Sequence, residues 1–132
     1  MSQSDVKAAR PLSPHLQVYK LILTMFVSGL HRITGVCLYL GMFFVAWWLI
    51  AIASGPAYYD FAMGIFGSII GYLALLGFTW SLILHTLGGL RHFLWDTGRG
   101  LSPGTPDKLA LASLVGSIVL TVLVWVIVFA VA

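Results

Sequence analysis

The run LALASLVGSIVLTVLVWVIVFAVA, residues 109–132, holds no charged side chain and no proline. A membrane-crossing helix needs about 20 apolar residues, because about 30 Å of hydrocarbon is spanned at 1.5 Å per residue. This run meets that length. Two more apolar stretches precede it, Leu21 to Ala53 and Phe61 to Leu90. Inside lipid no water is available to the backbone, so each segment must satisfy its own N–H and C=O groups, and a helix does this. A barrel would need many alternating segments of about 10 residues, and the sequence has none. The reading is an all-α membrane protein. Three transmembrane helices, about 21–53, 61–96 and 107–131, form a single transmembrane domain, 21–132, behind a polar N-terminal arm, 1–20.

Composition agrees. Of 132 residues, 60% are hydrophobic and 8% charged, and mean hydropathy is +1.00. An ordinary soluble domain is about a quarter charged. A soluble enzyme, a disordered tail and a disulfide scaffold are excluded. Seven Lys and Arg against four acidic residues, all Asp, leave +3. These cations form no dense run, so a nucleic-acid module is excluded too. The single cysteine, Cys37, lies in an apolar stretch, and no Cys-x-x-Cys-His attachment motif is present. Cys37 reads as a packing residue.

Ser54-Gly55-Pro56 interrupts the chain after the first stretch. Thr97 to Asp107, with two prolines and three glycines, separates the second from the third. The arm carries Lys7, Arg10 and Lys20, and the second connector region carries Arg91, Arg99 and Lys108. The first connector has no Lys or Arg and one acid, Asp60. Basic residues stay on the cytoplasmic side. The N-terminus and second loop are therefore expected to be cytoplasmic, and the first loop and C-terminus outside. The arm shows neither a secretory cleavage site nor a transit-peptide pattern. With Met1 as the first residue, this favours a bacterial inner membrane over a mitochondrial one.

The polar residues inside the spans are gathered on that same side. Ser28, His31, Arg32 and Gly35 are spaced i, i+3, i+4, i+7 and share one helical face. At 1.5 Å per residue, Ser28 and His85 each lie about 10 Å inside the cytoplasmic ends of their helices. An Arg within a span costs about 2.5–3.5 kcal/mol on insertion scales, so it faces a partner or a polar cavity, or snorkels to the surface. Ser28 and Arg32, one turn apart, suit the carbonyl oxygen of a bound head group. His31 suits either that site or a neighbouring backbone.

His85, Gly88, Gly89 and His92 share a face of the second span. The glycines admit something close to the backbone, either a flat porphyrin edge or another helix. A neutral imidazole in a span is a candidate metal ligand. His85 and His92 lie about 10 Å apart along one helix and cannot bind one iron. A second axial ligand for a haem at His85 would come from His31 or another chain. Trp47, Trp48, Tyr58, Tyr59 and Trp95 fall where an interfacial aromatic belt is expected.

Three motifs in order carry a resemblance. They are Arg10-Pro11-Leu12-Ser13-Pro14-His15-Leu16, Ser28-x-x-His31-Arg32-x-Thr34-Gly35, and His85-x-x-x-Gly89-Leu90-Arg91-His92-Phe93-x-Trp95-Asp96-x-Gly98. The chain resembles the cytochrome b556 membrane-anchor subunits of succinate dehydrogenase, respiratory complex II, over its whole length. The resemblance implies a place in a heteromeric helix bundle with a flavoprotein, an iron–sulfur subunit and a second membrane anchor. It implies haem b, with His85 as one axial ligand to the iron and the other supplied by the partner anchor. It assigns Ser28 and Arg32 to the ubiquinone site, and His31, Arg91 and His92 to the surroundings of the haem propionates. Asp96 is carried over as a partner of Arg32 or a step in the proton path to the quinone.

The expected activity is delivery of electrons from succinate oxidation to the quinone pool, the succinate chemistry lying in other subunits. No Rossmann glycine motif and no cysteine cluster is present for flavin or iron–sulfur binding. The alternatives are the anchor of a quinol:fumarate reductase, a haem-free structural anchor and a small transporter component. A transporter would show broken helices or ionisable groups near the midplane. The third stretch offers only Ser113, Ser117 and Thr121 there.

Overall fold

The computed structural model describes residues 19–131. The Arg10 to Leu16 motif and most of the arm lie outside them. Four helices follow in order: α1 (Leu23–Ala53), α2 (Pro56–Phe66), α3 (Ile69–Asp96) and α4 (Thr105–Val131). Three of them, α1, α3 and α4, are long and apolar enough to cross a membrane. At 1.5 Å per residue even α4 extends about 40 Å, beyond the hydrocarbon on at least one side.

The expected second helix, 61–96, is two helices. Helix α2 starts earlier, with Pro56 in its first turn, where a missing N–H costs nothing. Gly55, at φ 102°, makes the turn into it. At Gly67 and Ser68 the chain breaks and restarts. The Ser68 hydroxyl caps α3 by accepting from the Gly71 N–H at 3.1 Å. Gly71 is needed there because a Cβ would overlap the carbonyl oxygens of Ile65 and Phe66 at the end of α2. A glycine and a serine inside an apolar run carry little breaking signal, whereas proline does. That is why the run read as continuous.

Helix α3 is the middle of the bundle and packs on both α1 and α4. Against α1, Phe78 fills the place that a side chain at Gly41 would take. Against α4 the seam is small and polar. Ala110, Ser113, Ser117 and Thr121, spaced by a turn, are the buried residues of α4. The Trp80 indole N–H donates to Ser117 Oγ at 3.1 Å across it. Water gives no hydrophobic drive between helices in lipid, so close approach and such bonds hold the pair. Away from the proposed cytoplasmic face, α2 is tied to α1 by Trp47 Nε1 donating to the Tyr58 hydroxyl at 2.9 Å.

Outside these seams the apolar side chains point outward. Phe43, Leu73, Phe93, Val119 and Phe129 are all more than half exposed. This surface fits lipid and other membrane helices rather than water.

The crowded turn predicts a contrast. Gly71→Ala should destabilise the protein by about 1–3 kcal/mol through overpacking. Gly64→Ala, where a Cβ meets nothing within 4 Å, should be neutral or slightly stabilising. Thermal denaturation in detergent measures both.

Candidate functional site

The site lies where the first third of α1 crosses the second half of α3. His31 is about 12 Å along α1 from Leu23, and His85 about 16 Å back along α3 from Asp96. The antiparallel arrangement brings them to one level. Their rings stack, centroids 3.9 Å apart and planes 6° from parallel. His85 is thus paired in depth with His31 rather than with Ser28.

Two glycines make this approach possible. A Cβ at Gly35 would stand 3.1 Å from His85 Cε1. A Cβ at Gly88 would overlap the ring of His31. Each helix therefore receives the other's imidazole at a residue without a side chain. Of the two readings of the α3 glycines, Gly88 serves helix approach. Gly89, beside it, faces open space.

His85 Nδ1 lies 3.0 Å from the backbone carbonyl oxygen of His31. A carbonyl only accepts, so Nδ1 carries the hydrogen and donates. In that tautomer the lone pair lies on Nε2, the nitrogen a metal would use. The stacked geometry also bears on His31. Rings lying face to face do not aim at a shared metal. Among the described residues no three His, Cys, Asp or Glu side chains form a metal-holding group.

Toward the end of α3 the charge appears. Arg91 is 5% exposed, and its Nε and Nη1 have no hydrogen-bond partner. Its guanidinium carbon sits 5.0 Å from the centre of the Trp95 ring, one turn on. His92 meets the Trp95 ring edge-on at 5.3 Å and tilts toward His31 at 5.5 Å. The indole N–H of Trp95 and Nδ1 of His31 are also buried without a partner. Buried donors left unpaired cost about 1–3 kcal/mol each, more when charged. Their concentration here leaves several N–H groups without acceptors.

The remaining expected residues stand apart from this cluster. Ser28 is half-buried on α1, and Arg32 is exposed on the same helix. Asp96 is exposed at the last residue of α3. The structure therefore gathers His31, His85, Arg91 and His92 and leaves Ser28, Arg32 and Asp96 at the periphery of this chain.

Three participants had no role in the sequence reading beyond their place in a motif or belt. Thr34, 1% exposed, sits against His85. Gly35 seats the same ring. Trp95 carries Arg91, and the i, i+4 spacing of the two was the available signal.

Residues 7–124 match the family described as succinate dehydrogenase/fumarate reductase transmembrane subunit. The chain is 42% identical to the succinate dehydrogenase cytochrome b556 subunit of Paracoccus denitrificans, covering 91% of this chain and 92% of that one. It is 35% identical to the protein of the same name from Rickettsia felis, over 95% and 98% of the two chains. It is also 35% identical to the mitochondrial succinate dehydrogenase cytochrome b560 subunit of Mus musculus, over 76% and 60%. The chain belongs to the succinate dehydrogenase/fumarate reductase transmembrane subunit family.

The interlock of ring and glycine is open to a double-mutant cycle. Gly88→Ala should destabilise by about 1–3 kcal/mol, because the His31 ring must move. Adding His31→Ala should relieve part of that loss. Purely additive losses in thermal denaturation would show that the two do not touch.

Proposed function

We propose that this chain, as a member of that family, is one of two membrane anchors of a succinate:ubiquinone oxidoreductase. In this reading it holds haem b and forms part of the ubiquinone-reduction site. The observation that carries the reading is the cluster of buried, unpartnered donors, Arg91 Nε and Nη1 and Trp95 Nε1, beside the unpartnered Nδ1 of His31. The two propionates of haem b are acceptors of the required charge. The bare Nε2 of His85 is the iron ligand the same group requires. The residues present therefore fit the group. His85 would bind its iron, and His31, Arg91 and His92 would stand toward its propionates. The other axial ligand would come from the second anchor. When bound, haem b supplies a one-electron store beside the quinone.

Ser28 and Arg32 are assigned to ubiquinone. Both lie on the α1 face that begins one turn before His31. A hydroxyl and a guanidinium there orient the head group by hydrogen bonds. The fixed positive charge of Arg32 stabilises negative charge developing on the quinone oxygens as electrons arrive. Exposure of Arg32 in the isolated chain suits a pocket that neighbouring subunits complete. Asp96 is the candidate for the proton path.

The flavoprotein oxidises succinate and the iron–sulfur subunit passes the electrons on. Both dock on the side where Lys20, Arg99 and Lys108 lie, proposed as the cytoplasmic face of a bacterial inner membrane. The domain division, arm 1–20 and membrane domain 21–132, goes with this placement. A quinol:fumarate reductase anchor would have the same architecture, and the family description covers both. The relatives compared above are named for succinate dehydrogenase, which favours that direction.

Two measurements test the assignment in membranes carrying the assembled complex. Arg32→Leu should lower succinate:quinone turnover by at least tenfold while leaving succinate oxidation by an artificial acceptor unchanged, a loss of about 1.4 kcal/mol or more in transition-state stabilisation. Normal quinone turnover would reject the quinone assignment. His85→Ala should abolish or alter the b-type absorbance. An unchanged spectrum would place the iron ligand elsewhere.

A further inference from the structure

We propose that Thr34 is a positioning residue for His85. Its hydroxyl oxygen is a second acceptor for the His85 Nδ1–H and so helps set the electron-donating strength of Nε2. This rests on the reading above, in which Nε2 binds haem iron.

Thr34 Oγ1 lies 2.9 Å from the carbonyl oxygen of Leu30 and 3.0 Å from that of His31. Those carbonyls only accept, so they hold the hydroxyl hydrogen. The oxygen's lone pairs remain, and His85 Nδ1 is 3.4 Å away. The His31 carbonyl is 3.0 Å from the same nitrogen. One N–H thus faces two oxygens, the carbonyl as the main acceptor and the hydroxyl as a longer, flanking one. Gly35, the next residue, leaves room for the His85 ring to come this close.

Back-bonding alone does not explain the placement. Thr79, Thr86, Ser113 and Thr121 all donate to the carbonyl four residues earlier, as hydroxyls in membrane helices commonly do. Thr34 makes the same bond, yet its oxygen also stands beside a histidine nitrogen. It is the buried hydroxyl on the face of α1 that meets α3 at the histidine level.

The chemical consequence follows from the ligand. Acceptors on the outer N–H of an axial imidazole raise its basicity at the metal-binding nitrogen. A more basic ligand favours the oxidised iron and lowers its reduction potential. Removing one acceptor weakens that effect.

The test is a redox titration of the b-type absorbance in membranes with the assembled complex. Thr34→Val keeps the shape and removes the oxygen. Its midpoint potential should rise. Thr34→Ser, which restores a hydroxyl, should return it to the wild-type value. Thr86→Val, which loses only a back-bond on an exposed face, should leave it unchanged. Should the valine variant not assemble, Thr34→Ala gives the same reading. An unshifted or lowered potential without the hydroxyl, or failure of serine to restore it, overturns the proposal. His85→Ala measured in parallel separates the two levels. If its spectrum is unchanged, the haem reading itself fails. If that variant loses the spectrum while the potential ignores Thr34, only the role of Thr34 falls.

Discussion

The structure turns on a hydrogen bond from an imidazole N–H of one helix to a backbone carbonyl of another. In lipid a helix normally keeps its carbonyls to itself. The His31 carbonyl accepts from His85 across the α1–α3 interface as well as lying near Thr34. A carbonyl has two lone pairs, so the helix need not open to allow this. The bond requires the helices to touch at that level, and Gly35 and Gly88 make touching possible. Sterics and polarity therefore specify the same register. A slip of α3 past α1 would set a ring against a side chain and leave an N–H unpaired.

The rest of the polar chemistry is arranged around that register. Arg91 lies on α3 six residues after His85 and Trp95 four residues further. The guanidinium is sheltered by an aromatic face instead of an acid. A carboxylate there would neutralise Arg91 and leave nothing for a ligand. An indole shields the charge without cancelling it. Arg91 is thus buried with Nε and Nη1 unpaired, unlike a guanidinium held in a structural ion pair.

Much of this was legible in the sequence because lipid leaves few options. Three runs of the required length gave the spans, and the Lys and Arg distribution gave an expected orientation. Counting residues brought His85 near the level of Ser28, about one turn from His31, its actual partner in depth. The stacking of the two rings could not be read, because helical spacing fixes a face but not which face meets which helix. The same limit hid Thr34, whose partner is 51 positions away. The break at Gly67 and Ser68 was hidden for a local reason. Its determinant is the close approach of the Ile65 and Phe66 carbonyls to Gly71, a contact that exists only once the bend has formed. Ser28, Arg32 and Asp96 were singled out from motif and spacing, and the structure leaves them at the periphery of the cluster.

The position of the histidine pair in the chain has a consequence for biogenesis. Every residue of the cluster, from His31 to Trp95, precedes α4. Synthesis runs from the N-terminus, so the whole cluster is polymerised before the first residue of the last span is added. The final helix packs on α3 through a seam of alanine and hydroxyl side chains and adds no side chain to the cluster.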